Sequence, residues 1–190
     1  MKKFLAVCFC LVLLLGMTAC SITDDTVNDS TQSKAEEASS QVESADPLDE
    51  LKKYTSDSGI TIYMADGFKE KDLGVDTVAC YFESDNAIFT CSVESFELLE
   101  SLNFDADMSL EEYGQLVIDA NGFDSKLETD EYGNVYMKYV QNIEGNDFTY
   151  YGYFKKGAES FWTCNLVCLT ESEAEFEDDF ALWASTIEIA

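Results

Sequence analysis

Tyr150-Tyr151-Gly152-Tyr153-Phe154, followed by Phe161-Trp162-Thr163-Cys164-Asn165-Leu166-Val167-Cys168-Leu169, decides how this chain must fold. Side chains alternate sides along a strand, so a strand with one wet face is apolar only at every second position. Apart from Gly152, both alternating sets of the first stretch are aromatic, and both sets of the second contain large apolar residues. Such strands are buried on both sides, which calls for helices over both faces of an antiparallel sheet. The expected fold class is therefore α+β, with a sheet of about six strands flanked by helices on both faces.

Outward from that pair, further strands are expected at 60–64 and 135–141, with the quoted stretches lying in strands at 148–155 and 160–169. Gly145-Asn146 and Lys156-Gly157 supply turns between the last three. A hairpin is expected from 77–84 and 87–94 around Asp85-Asn86. It reads as a half-buried ribbon, with Val78, Cys80, Phe82, Phe89, Cys91 and Val93 inside. Thr77, Tyr81, Glu83, Thr90, Ser92 and Glu94 fall on the other side. Ser109 and Glu112 have capping-box spacing before a stripe of Leu110, Tyr113, Val117 and Ala120, which Gly122 can close. Thr170 and Glu173 repeat that spacing before a second helix, whose face is Phe176, Phe180, Trp183 and Ile187.

The amino end carries a different signal. Lys2 and Lys3 precede twelve apolar residues, Phe4 to Leu15, and then Gly16-Met17-Thr18-Ala19-Cys20. A basic start, a short apolar middle and small residues before a cut site read as an export signal. As a helix the run rises about 18 Å, short of the ~30 Å hydrocarbon layer. Residues 21–49 are mostly Ser, Thr, Asp, Glu, Gln and Asn, too polar to offset the entropy of ordering. The organisation expected is a signal over 1–19, a modified cysteine and acidic tether over 20–50, and one domain over 51–190.

Two resemblances attach to these residues. Met17-Thr18-Ala19-Cys20 resembles the lipobox of bacterial lipoproteins, which implies lipidation of Cys20 and a lipid anchor at the extracytoplasmic face of the cell membrane. The domain resembles the PsbP-like α/β/α sandwich of small exported lipoproteins and photosystem II extrinsic subunits. The matching pieces are Gly59-Ile60-Thr61-Ile62-Tyr63 leading to Gly67-Phe68, Leu110-Glu111-Glu112-Tyr113, Phe161-Trp162, and Phe180 to Ile187. Ala65 and Asp66 stand where many relatives have proline. Fold alone does not transfer function, and no residue here matches a motif that would carry a relative's activity across.

Composition excludes several chemistries. The net charge is −27, and two units more negative once Lys2 and Lys3 are removed. With no arginine and no histidine, nucleic-acid binding is excluded, and the imidazole triad and His-ligated zinc are absent. Anionic lipid headgroups repel the domain, so its membrane contact is expected through the anchor only. No cofactor is expected. Asp105, Asp107 and Ser109 start like a calcium loop, but Leu110 and Leu116 occupy the places of its glycine and bidentate glutamate.

Four cysteines remain in the mature chain besides Cys20. Cys164 and Cys168 are about 13 Å apart along one strand and cannot bridge. Cys80 and Cys91 fall opposite one another in the hairpin, where a bridge or two buried thiols would fit, a bridge better if a four-residue turn makes this a non-hydrogen-bonded pair. Tyr136, Tyr151 and Tyr153 share one sheet face, either as core beneath a helix or as a platform for a sugar or peptide. The function expected is a non-catalytic, tethered binding or scaffolding module with an extracytoplasmic protein or glycan partner. The alternative is a carboxylate-dependent hydrolase of cell-wall or dietary glycans, which needs two coupled carboxylates in a cleft.

Overall fold

The two quoted stretches become neighbouring central strands. The computed structural model describes residues 47–75 and 77–190. The predicted signal, Cys20 and most of the tether lie outside the described residues. After a 3-10 turn at Pro47–Glu50 come β1 (Lys52–Thr55), β2 (Ile60–Met64), β3 (Lys69–Glu70), β4 (Cys80–Glu83) and β5 (Ala87–Ser95). Two helices follow, α1 (Phe96–Ser101) and α2 (Leu110–Asn121). Then come β6 (Leu127–Thr129), β7 (Val135–Ile143), β8 (Asn146–Lys156) and β9 (Ser160–Leu169). The chain ends with a 3-10 turn at Thr170–Ser172, α3 (Glu173–Ser185) and β10 (Glu188–Ile189).

Every pairing is antiparallel, in a seven-stranded sheet ordered β3-β4-β5-β9-β8-β7-β6 and a three-stranded sheet ordered β1-β2-β10. The expectation of about six strands is corrected accordingly. The additional strands β1, β3, β6 and β10 have two to four residues each. Alternation cannot declare itself over so few positions.

Two apolar clusters lie against the large sheet. One joins Tyr151, Tyr153, Cys164, Leu166, Phe82 and Phe89 to Ile60 and Ile62 of β2 and to Phe180, Trp183 and Ala184 of α3. The other joins Tyr150, Phe154, Phe161, Val167 and Met137 to Leu99 of α1 and Tyr113, Val117 and Ile118 of α2. Tyr150 and Tyr151 are adjacent yet belong to different clusters, as strand alternation requires. The β4–β5 hairpin has the expected register, Cys80 opposite Cys91 and Phe82 opposite Phe89. It is not a half-buried ribbon, however. Tyr81, Thr90, Ser92 and Glu94 are buried too, because residues outside the hairpin cover its second side.

Local chemistry sets the ends of α2. Ser109 Oγ accepts from Glu112 N while Glu112 Oε2 accepts from Ser109 N, and Gly122 closes the helix at φ 68°. Ala120, expected on the buried stripe, is exposed; Gly114 and Ile118 are buried instead. The predicted capping box of α3 does not form. Thr170 sits in the 3-10 turn, and Glu173 spends its carboxylate on Lys138, Tyr151 and Thr149. The β7–β8 turn is Glu144-Gly145, at φ 53° and 93°, one residue before the expected position. Moving a two-residue turn by one place shifts the cross-strand partner by two, so every side chain keeps its face.

Candidate functional site

One end of the large sheet gathers the β4–β5 turn, the β7–β8 turn and the β9–α3 junction. The first turn is tight, with Ser84 N donating to Ala87 O at 2.9 Å and Ala87 N donating to Ser84 Oγ at 3.1 Å. In the second, Asn142 Oδ1 accepts from Gly145 N at 3.2 Å and Asn142 Nδ2 donates to Asp147 Oδ1 at 2.6 Å. Between the turns, Ile88 pairs with Val167 and Phe148 with Leu169. These four side chains floor a depression of about 360 Å³, rimmed by Ser84, Asp85, Asn86 and Asn146. A second depression of about 420 Å³ shares Asn146 and Leu169 with it and adds Asp147, Thr170 and Glu171. Among the described residues no lysine lines either one. An apolar floor with a few polar groups at its rim is the usual form of a small-group binding site. The acidic rim favours a cationic neighbour.

A third cleft, about 400 Å³, lies along β3 and β4 and is lined by Asp57, Glu70, Lys71, Asp72 and Tyr81 among others. Its floor is more polar. Among the described residues no group of three or more Cys, Asp or Glu is arranged to hold a metal ion.

The hydrolase alternative directs attention to buried carboxylates. Glu94 of β5 is 6% exposed and receives the hydroxyl of Tyr113 from α2, whose oxygen also lies 3.2 Å from Thr163 Oγ1. Burial raises the Glu94 carboxyl above its ordinary range, and the Tyr113 hydrogen bond pulls the other way. What sets its proton affinity is thus desolvation and a phenol, not a second carboxylate. A carboxyl that holds its proton more tightly when folded loses stability as pH rises from the unfolded value, about 4.3, through the raised folded one. Glu94→Gln removes that ionisation and leaves an acceptor for Tyr113. Urea unfolding across this window is expected to show a flatter pH profile for Glu94→Gln than for the parent, with the variant at least as stable near neutral pH. Identical profiles would refute the assignment.

The tyrosines named from sequence do meet on one face. Tyr136 stacks on Tyr151 and Tyr153 with ring centroids 6.0 and 5.3 Å apart. Tyr151 is 2% and Tyr153 1% exposed, in the cluster beneath α3, so the three do not present an open platform. Their polar edge is engaged. Tyr151 Oη donates to Glu173 Oε1 at 2.9 Å, Lys138 Nζ donates to the same oxygen at 2.9 Å, and Tyr136 Oη donates to Glu128 Oε2 at 3.3 Å. Burial opposes ionisation of Glu173, but the bonds from Lys138, Tyr151 and Thr149 hold its carboxyl below the ordinary range.

Cys80 and Cys91 face each other as buried thiols. Cys164 flanks Cys91 on its other side, making a row of three across β4, β5 and β9. The tight two-residue turn makes Cys80 and Cys91 a hydrogen-bonded pair, and Cys91 O accepts from Ala79 N on that side. The four-residue turn that would favour a bridge between them is not formed. Asp105 and Asp107 form a local turn, and Ser109 is consumed in the α2 cap.

The site residues Ile88, Phe148 and Leu169 escaped the sequence reading because each looks like ordinary strand core. Only the positions of the turns reveal that they end up together at one end of the sheet, lining a depression. No protein-family model matches the chain, and no curated protein matches it. Solved structures similar to it include CyanoP, the PsbP of Synechocystis sp. PCC 6803, at 14% identity and TM-score 0.46 over 78% of this chain and 99% of that one. A Bacteroides thetaiotaomicron protein is 15% identical, with TM-score 0.47, over 74% of this chain; the chain spans 49% of that protein's length. A protein of unknown function from Pseudomonas aeruginosa is 14% identical, with TM-score 0.40, over 74% of this chain and 97% of that one.

Proposed function

We propose that this chain is an exported lipoprotein, held at the extracytoplasmic membrane face through Cys20, whose domain is a non-catalytic binding module. In this reading the domain is a PsbP-like α/β/α sandwich, supported by the separate clusters that α3 and the α1–α2 pair make with the sheet. The observation that carries the binding role is the sheet-end depression, with Ile88, Phe148, Val167 and Leu169 below and acidic or amide side chains at the rim. It suits an apolar group carried next to a positive charge, on a partner in the cell envelope. Anchoring would raise the local concentration of that encounter, limited by the reach of the tether.

The test uses the full chain in intact cells. A photo-crosslinking p-benzoylphenylalanine replacing Asn86 at the rim is expected to capture one discrete envelope partner, and Ile88→Lys in the same chain to abolish the product. The parent is expected to incorporate a palmitate analogue that Cys20→Ala does not. Unaltered crosslinking with Ile88→Lys would remove the depression from the mechanism; equal labelling of Cys20→Ala would remove the anchor.

A further inference from the structure

Among the described residues, β7 is paired on its outer side over only part of its length. β6 pairs with β7 only from Val135 to Met137, after which Ser125 Oγ donates to Lys138 O at 2.8 Å. From Tyr139 to Ile143, β7 has β8 on one side and, among the described residues, no strand on the other. The Glu144-Gly145 turn fixes which backbone groups point outward. It makes Ile143 and Asn146 a hydrogen-bonded pair, so odd-numbered residues of β7 bond to β8 and even-numbered ones face away. Val140 and Asn142 therefore direct their N–H and C=O groups out of the sheet edge. Val140 is also 56% exposed, an apolar side chain where edges usually carry charge.

We propose that this edge takes up an extended, basic peptide segment of the partner as an added antiparallel strand. This deepens the binding-module reading and rests on it. The backbone supplies the hydrogen bonds, and Val140 an apolar contact for one side chain of the incoming strand. Charge selects the occupant. The chain carries −27, and Glu144 and Asp147 stand at the turn end of the edge. The lysine on this strand, Lys138, is already ion-paired with Glu173 at 2.9 Å and Glu177 at 3.8 Å. A second copy of this chain would bring equal negative charge against the edge, whereas a lysine- or arginine-bearing strand is drawn to it.

The test measures binding of a fluorescent peptide of alternating lysine and valine to the full chain in neutral detergent, at low and moderate salt. Val140→Pro removes one outward N–H without touching the bonds to β8, and Tyr139 before it is already extended, as proline demands. Val140→Thr keeps the N–H and controls for the side chain. Losing that bond leaves a peptide carbonyl unpaired, so Val140→Pro is expected to weaken binding about tenfold, while Val140→Thr stays close to the parent. Parent affinity is expected to fall with salt. Equal binding by Val140→Pro, or no binding by the parent at low salt, overturns the edge proposal. Both results leave the crosslinking at Asn86 to judge the depression separately. Self-association of the parent that Val140→Pro abolishes would overturn the basic peptide in favour of a second copy.

Discussion

Trp183→Ala is expected to lower unfolding stability by about 3–5 kcal/mol, the usual cost of truncating a buried large aromatic. Trp183 is 1% exposed, and its ring meets Phe68 and Phe180 at centroid separations of 5.7 and 5.6 Å. It is the side chain through which α3, the loop after β2 and the large sheet share one core. A domain of this size has about 5–15 kcal/mol in total, so the loss removes a large part of it. Urea unfolding followed by far-ultraviolet circular dichroism would read the change. Trp183→Phe is expected to cost much less than the alanine variant, because Nε1 of Trp183 is buried without a hydrogen-bond partner among the described residues and phenylalanine removes that donor. An alanine variant within 1 kcal/mol of the parent, a bound set from the same range, would mean that α3 is not packed as described.

Gly114→Val is the second large effect, and its cause is lack of space. A Cβ at Gly114 would lie 2.7 Å from Leu127 Cδ2 and 2.7 Å from Phe154 Cε2. Phe154 is 1% exposed and cannot swing aside. Valine is the better helix former by a few tenths of a kcal/mol, while overpacking costs about 1–3 kcal/mol. The clash wins. Lifting α2 also draws Tyr113 away from Glu94, leaving a buried carboxylate without its donor, so about 3 kcal/mol is expected. That corresponds to a fall in Tm of roughly 10 °C. Thermal scans at two pH values would separate the contributions, since the Glu94 part shrinks in acid. Retained Tm in Gly114→Val would show that α2 sits farther from the sheet than its contacts imply.

The sheet was readable where side-chain size spoke on both sides of a strand. β9 begins and ends where its pattern placed it, and the β4–β5 register followed from the Asp85-Asn86 turn. Alternation misled at Glu94 and Tyr81, because polar residues on the second side of a hairpin look solvent-facing until other segments cover them. Tertiary competition misled at Glu173. Its spacing from Thr170 suits a cap, yet Lys138 and Tyr151 arrive from strands 35 and 22 residues away and take the carboxylate. The sheet-end depression was illegible for a related reason. Ile88, Phe148 and Leu169 have the same composition as core, and only their place beside the turns distinguishes them. The side of β7 that is open among the described residues was hidden likewise, since a missing neighbour leaves no mark on the strand itself.

Residues 186–190 act as a latch. β10 is two residues long, yet it pairs with β2, Thr186 Oγ1 accepts from Tyr63 N across a separation of 123 positions, and Ala190 N donates to Gly59 O. A nascent chain cannot shut this seam until residues 186–190 have been made, and α3 with Trp183 comes only just before them. Non-local closure of this kind is slow. Any machinery that threads the polypeptide while it is still emerging would therefore meet an unlocked chain, with no folded body to pull apart.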